Sequence, residues 1–386
     1  MKEAGREATL EELLERMAAR KGVGSAVMGV ASGDGSFRWL GARGEASAGG
    51  PPMTVETPWF IASITKLFIA ALVLRLVEEG KVRLDDPMIR HLPADLTRGL
   101  HRDGEVDRTA RITVEHLLAH ASGLPDFIED YPRRGARDRR SLVQILVEEG
   151  DRSWTLEDTA RRVREDLRPH FPPQDLTARR VRIRYSDTNY QLLRGIIESG
   201  FGRPFADALV EKLLDPLGLA HTWVAGVPRP GIPAASPAAL LAGTEVLELP
   251  RFLGSIGDLN STASDLLRFL PALAQGRCFR DPESWPRMVA RWNRFGQPTD
   301  RAALRQAGWP IEYGLGVMRF QLPRFLTPFR PVPEVVGHTG STGTWLFHAP
   351  SLDMYLVGGV SQLTAGPLPF RFVPRILRAL EHPAED

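Results

Sequence analysis

The chain has 386 residues, 43% apolar and 25% charged, the composition of a globular protein with ample core rather than a disordered or fibrous one. A formal net charge of +2 gives no reason for a polyanion-binding surface, so no nucleic-acid partner is expected. The single cysteine, Cys278, excludes internal disulfides and cysteine metal clusters, and no apolar run has the length of a membrane-spanning helix.

Residues 1–22 hold no apolar signal core, which sets the expectation of a cytoplasmic protein without membrane association. Thr9 and Glu12 stand at capping-box spacing. They predict that an amphipathic helix starts there, with Leu10, Leu13, Leu14 and Met17 on one face. Residues 24–31 and 37–44 flank Ser32-Gly33-Asp34-Gly35-Ser36 and read as a hairpin. A glycine-rich loop, 46–52, leads to an almost wholly apolar helix over about 63–79, bounded by Pro58 and Gly80.

Helical patterns then dominate: 113–120, 141–149, 155–167 with Thr155 and Asp158 at capping-box spacing, 189–200, 204–214 and 261–274. The proline-rich stretch 228–237 and residues 238–251 carry no clear period. Arginine-rich runs at 133–140 and 178–184 read as solvated faces and loops. Strand patterns return at 313–320, 344–349 and 354–360, and 367–380 reads as a final helix. Strands at both ends with helices between imply one sheet assembled from the two termini around a helical insertion.

Three short stretches carry chemistry. Ser63 and Lys66 are one helical turn apart and share a face of the apolar helix. Burial lowers the proton affinity of an ammonium. Lys66 is therefore expected near neutrality, able to take the proton of Ser63 and make it a nucleophile. Tyr185, in the polar turn Arg184-Tyr185-Ser186-Asp187, is expected to be drawn toward phenolate by that ammonium and to share the base role. Gly337-His338-Thr339-Gly340-Ser341-Thr342-Gly343 supplies small residues that let backbone N–H groups approach an oxyanion. Each stretch alone is common as a helix start, a packed tyrosine or a glycine-rich strand.

In this order the three resemble the serine β-lactamase-like and penicillin-binding-protein-like hydrolases, on the class C side. S-x-x-K stands at 63–66, the Y-x-N position at 185–187 and the K/H-T-G position at 338–340. LLAHASGL (117–124), YSDTNYQLL (185–193), PLGL (216–219), NSTASDLLRFL (260–270) and YGLG (313–316) add family-like text.

The resemblance implies an α/β (α+β), β-lactamase/transpeptidase-like fold: an antiparallel sheet from both termini, flanked by helices, with a largely helical inserted subdomain. One hydrolase domain is expected over 10–380, its sheet part about 10–62 plus 300–380 and its helical part about 63–299. The resemblance further implies Ser63 as the acylated nucleophile, Lys66 and Tyr185 as the proton-transfer pair, and an oxyanion hole from the backbone N–H groups of Ser63 and Ser341. Asp187, His338, Thr339 and Gly340 are expected on the substrate side, with no cofactor and no metal.

Two departures shape the functional expectation. Asp187 stands where family members that bind β-lactams have asparagine, favouring a charged Lys66 and repelling anionic substrates. His338 replaces the lysine of class C β-lactamases, removing a fixed positive charge. A carboxylesterase acting on small-to-medium esters is therefore expected ahead of a D-amino-acid peptidase, D-Ala-D-Ala carboxypeptidase or β-lactamase. A non-turnover penicillin-binding sensor is the non-enzymatic alternative, against which the presence of both Lys66 and Tyr185 argues. No Gly-x-Ser-x-Gly elbow occurs, and His116 and His120 lack the following glutamate of a zinc protease helix, so they read as helix-end histidines.

Overall fold

The computed structural model describes residues 2–381 except 137, 230–235, 299, 328 and 330. Part of the proline-rich stretch 228–237 thus lies outside the described residues.

The hairpin Ser25–Ser32 and Arg38–Gly44 forms one edge of an antiparallel sheet of eight strands. Ser25–Ser32 pairs with Met354–Gly359, which continues through Thr344–Ala349 and Val335–Gly340 to Met318–Phe320, Ile311–Tyr313 and Asn293–Arg294. Both termini therefore build the sheet, in the β-lactamase/transpeptidase-like arrangement. The helices Lys2–Ala18 and Pro369–Glu381 pack together on one face, burying Leu10, Leu14, Met17, Phe372 and Ile376 against the strands. The Ala263–Ala274 helix covers the other face, capped by the Thr262 hydroxyl, which accepts from the Asp265 N–H. Among the described residues no helix is long and apolar enough to cross a membrane.

Two expectations about this layer are corrected. The first helix starts at Lys2, not at Thr9, whose hydroxyl donates to the Gly5 carbonyl at 2.9 Å inside the helix. The apolar face it was expected to present is buried as expected. Residues 313–320 are not one strand: the Gly314 N–H donates to the Val317 carbonyl at 2.8 Å, turning the chain between Ile311–Tyr313 and Met318–Phe320. The turn needs glycine at 316, where φ is 78° and a Cβ would sit 2.3 Å from the Ala70 Cβ. That close approach seats the turn on the Thr65–Glu78 helix.

The helical part surrounds the Thr65–Glu78 helix, whose Leu67, Phe68, Ala70, Ala71, Leu72 and Val73 are fully buried. It packs along the Asp187–Phe201 helix, and Phe68 stacks on Phe269 of the sheet-covering helix. Helices Leu142–Glu149 and Leu156–Glu165 form where expected, the second with the Thr155/Asp158 capping box. The 204–214 helix runs as Phe205–Leu209 and closes in a wider turn over Val210–Leu214. Residues 238–251, without a readable period, hold a short hairpin (Leu241–Ala242 with Glu245–Val246) and the start of the Pro250–Ile256 helix.

Candidate active site

Ser63 lies in a single tight turn, Ala62–Ile64, between the short strand Trp59–Phe60 and the Thr65–Glu78 helix. Ala62 has φ 48°, a left-handed conformation that costs a non-glycine residue about 1–2 kcal/mol. The surroundings hold it there. The Ile61 N–H donates to the Leu259 carbonyl at 3.0 Å, and the Thr344 hydroxyl donates to the Ile61 carbonyl at 3.2 Å. Gly340 packs directly on the turn: a Cβ there would lie 2.2 Å from the Thr344 Oγ1 and 2.9 Å from the Ala62 Cβ. The ends of two interior strands therefore clamp the turn that carries Ser63, and both Ser63 and Ser341 line one cavity. Among the described residues neither the Ser63 nor the Ser341 N–H donates to another group, leaving two N–H donors beside the serine.

Lys66, 4% exposed, donates from Nζ to the Ser63 Oγ at 3.1 Å and to the Asp187 Oδ1 at 2.5 Å. Its ammonium also sits 4.9 Å from the ring centre of Tyr185 and 5.3 Å from that of Tyr190. The expectation of a near-neutral lysine is corrected. Burial is the largest single influence and lowers its pKa. Asp187, Tyr185 and Asp258 together outweigh it and hold Lys66 well above the ordinary lysine value. Resting Lys66 is an ammonium.

Tyr185 is corrected in the same sense. Burial pushes its phenol above the ordinary tyrosine value, Lys66 opposes this, and Asp187 reinforces it. The hydroxyl makes no hydrogen bond of proper geometry, although Lys66 and Ser63 are near enough to favour its ionised form. It is a protonated phenol held next to Ser63, not a phenolate.

His338 does not line the cavity. It is fully buried behind the tyrosines: Nδ1 donates to the Thr339 carbonyl at 2.6 Å, which leaves Nε2 to accept from the Tyr313 hydroxyl at 3.0 Å. Burial, then the Lys66 charge, lowers its pKa to about 3. His338 is thus a neutral support for Tyr313, whose hydroxyl lies 3.3 Å from that of Tyr190. Thr339 and Gly340 do reach the cavity wall, as does Asp187. The alternation of a strand explains the split, since neighbours 338 and 339 point to opposite faces.

His116 and His120 serve the fold locally. His116 Nδ1 closes the capping box with Thr113, and His120 Nδ1 accepts from the Ser186 N–H at 3.2 Å. Tyr190, Tyr313, Asp126 and Asp258 went unread in the sequence. Asp126, fully buried, accepts at Oδ2 from the Asp187 N–H at 3.2 Å and from the Gln306 side chain at 2.8 Å. Burial and the carboxylates of Asp187, Asp130 and Glu129 push its pKa well up. Tyr190 alone had a readable signal: it lies on the face of the helix that Asp187 starts, one turn further on.

The cavity, about 1000 Å³, has a predominantly apolar lining. Its wall includes Leu240, Leu247, Phe252 and Ile256, and also Phe295, Trp309, Met318 and Phe370. Of the arginines in its wall, Arg184 pairs with Asp130 and Asp300, Arg305 pairs with Glu129, and Arg182 lies over the Phe171 ring.

The beta-lactamase family model matches residues 10–369. The chain belongs to the beta-lactamase family. It is a serine hydrolase of that family. Esterase EstB of Burkholderia gladioli is 27% identical over 292 residues, 68% of this chain and 68% of that protein. Penicillin-binding protein 4 of Amycolatopsis lactamdurans is 28% identical over 228 residues, and the match spans 57% of this chain and 51% of that protein. Among solved structures, a D-stereospecific amidohydrolase from Streptomyces sp. superposes with a TM-score of 0.69 at 27% identity, covering 98% of this chain and 99% of that one.

Proposed function

We propose that the protein is a carboxylesterase that cleaves small-to-medium carboxylic esters through an acyl-enzyme on Ser63, as a single hydrolase domain over about residues 10–380. The observation that carries this reading is the Lys66–Asp187 ion pair beside the nucleophile. It neutralises the ammonium that would otherwise attract the carboxylate of a β-lactam or a peptide, and the neutral His338 supplies no replacement. A large, mainly apolar cavity suits the hydrocarbon part of an acyl or alcohol group. The similarity to esterase EstB supports the same reading.

The charge states suggest the proton path. As Ser63 Oγ bonds to the ester carbon, its proton passes to Lys66 Nζ while Lys66 passes one to the Asp187 carboxylate. Lys66 remains an ammonium throughout. The carbonyl oxygen becomes an oxyanion facing the N–H groups of Ser63 and Ser341; one such donor is worth about 3–4 kcal/mol. When the bond to the alcohol breaks, Tyr185 gives the leaving oxygen its proton and recovers one from Lys66, which is refilled from Asp187. Water then repeats the sequence on the acyl-enzyme and releases the acid.

A D-amino-acid amidase or peptidase is the second reading, favoured by the similarity to the Streptomyces D-stereospecific amidohydrolase. Turnover of p-nitrophenyl butyrate, a chromogenic cephalosporin and a D-alanyl peptide, with wild type and Ser63→Ala, separates the readings. Ester turnover exceeding the other two, abolished in Ser63→Ala with an unchanged melting transition, is expected. Faster peptide or lactam turnover overturns the esterase reading, retained activity in Ser63→Ala overturns the mechanism, and acylation of Ser63 without turnover makes the protein a sensor. The cytoplasmic location expected from the sequence belongs to the same proposal and is tested by fractionating the native host.

A further inference from the structure

A second carboxylate, that of Asp258, lines the same cavity as Ser63 without a task in the steps above. Asp258 shares the cavity wall with Phe252, Leu253 and Ile256 of the helix that precedes it. Its backbone is held on both sides: its N–H donates to the Leu253 carbonyl at 3.1 Å, and its carbonyl accepts from the Ala225 N–H at 2.8 Å. The next residue is tied to the nucleophile turn, with the Leu259 N–H on the Thr65 hydroxyl at 3.2 Å and the Leu259 carbonyl on the Ile61 N–H at 3.0 Å. Gly257 before it has φ 76°, and a Cβ there would lie 2.8 Å from the Arg194 Cδ. The position of Asp258 is therefore built in.

Its side chain makes no hydrogen bond and no ion pair among the described residues. Lys66 and Arg194 act on it only at a distance, since Lys66 is committed to Asp187 and the Arg194 guanidinium donates to the Ser255 carbonyl. Of the carboxylates in the cavity wall, Asp187 pairs with Lys66, Glu129 with Arg305 and Glu148 with Arg140, so among the described residues Asp258 is the one without a partner. A carboxylate in an apolar wall is costly until a cation joins it.

Resting on the acyl-enzyme reading, we propose that Asp258 is a specificity residue that selects substrates carrying a cationic amine, the substrate ammonium docking on its carboxylate beside the scissile carbonyl. Burial raises the pKa of Asp258 to about 7, Asp187 adding to the rise while Lys66 and Arg194 oppose it. The empty pocket is then partly protonated at neutrality, and a bound cation favours the ionised form. The preference for cations grows as pH rises through about 7 and fades below it.

Isosteric pairs test this. On the acyl side, p-nitrophenyl 4-(trimethylammonio)butanoate is compared with p-nitrophenyl 5,5-dimethylhexanoate. On the alcohol side, acetylthiocholine is compared with 3,3-dimethylbutyl thioacetate. The readout is the ratio of kcat/KM within each pair, so a general effect of a variant on turnover cancels. Wild type is expected to favour the cation in at least one pair by roughly tenfold at pH 8 and less at pH 6. In Asp258→Asn and Asp258→Ser the ratio is expected to collapse to about one, with melting transitions confirming that both fold. A wild-type ratio near one in both pairs, or a preference that survives in both variants, overturns the proposal while leaving the esterase reading intact. Failure of wild type to turn over any ester overturns the esterase reading instead.

Discussion

Replacing Asp187 by asparagine tests the charge arrangement at the centre of the site. The substitution keeps an oxygen that can accept from Lys66 but removes the charge now 2.5 Å from Nζ. The two side chains are only 5% and 22% exposed, so solvent does little to replace the lost partner. With an effective dielectric of about 20 and charge centres about 4 Å apart, the attraction is about 4 kcal/mol. Removing one member of a buried pair typically costs about 3–5 kcal/mol. The partial exposure of Asp187 and the retained hydrogen bond place the expected loss of stability near the lower end, about 3 kcal/mol, measured by denaturant unfolding at pH 7. Lys66 then loses the largest influence that holds its pKa up, and its pKa falls.

The sign of the pH effect follows. In wild type the folded value lies above the unfolded one, so the contribution of Lys66 to stability is complete below the ordinary lysine value. It is lost only as pH rises through the raised value. No Lys66 transition is therefore expected in wild-type kcat/KM between about pH 6 and 9. In Asp187→Asn the relay has no final acceptor. Activity on p-nitrophenyl butyrate is expected to drop roughly a hundredfold at pH 7 and to climb with pH as Lys66 becomes a free base. A flat profile with undiminished activity in the variant would refute both the ion pair and the relay.

Tyr185→Phe removes a buried hydroxyl that has no hydrogen-bond partner among the described residues. Stability is expected to be unchanged or to rise by up to about 1 kcal/mol, while kcat on p-nitrophenyl butyrate falls about a hundredfold or more. A clear loss of stability with normal kcat would make Tyr185 structural. His338, with its pKa lowered to about 3, stays unprotonated in the folded protein while the unfolded chain takes a proton near pH 6.5. Its linkage therefore drains stability as pH falls from about 6.5 toward 3, by up to about 1.4 kcal/mol per pH unit. In His338→Gln the unfolding free energy measured between pH 7 and 4 should decline less steeply, by about one proton, and an unchanged slope would contradict a neutral buried imidazole.

What the sequence determined by itself is what neighbouring residues decide. A spacing of three residues across one helical turn puts Lys66 beside Ser63, at 3.1 Å, and the all-apolar run that follows could only be a buried helix. Alternating strands at both ends announced a sheet shared by the termini, and the three ordered motifs announced the family. The sequence offered two opposed readings of Lys66, near-neutral from burial and charged from Asp187. The tertiary structure decided between them, because the balance depends on distances between groups far apart in the chain. Asp187, separated from Lys66 by 121 positions, reverses the effect of burial on the lysine. Whether His338 faces substrate or core was set by strand orientation, and the break in 313–320 by a contact between Gly316 and Ala70. Asp258 sits in no motif, and its carboxylate acquires meaning only because Leu259 is bound to the turn that carries Ser63. Local geometry is written in spacing; electrostatics is written in distances that only folding creates.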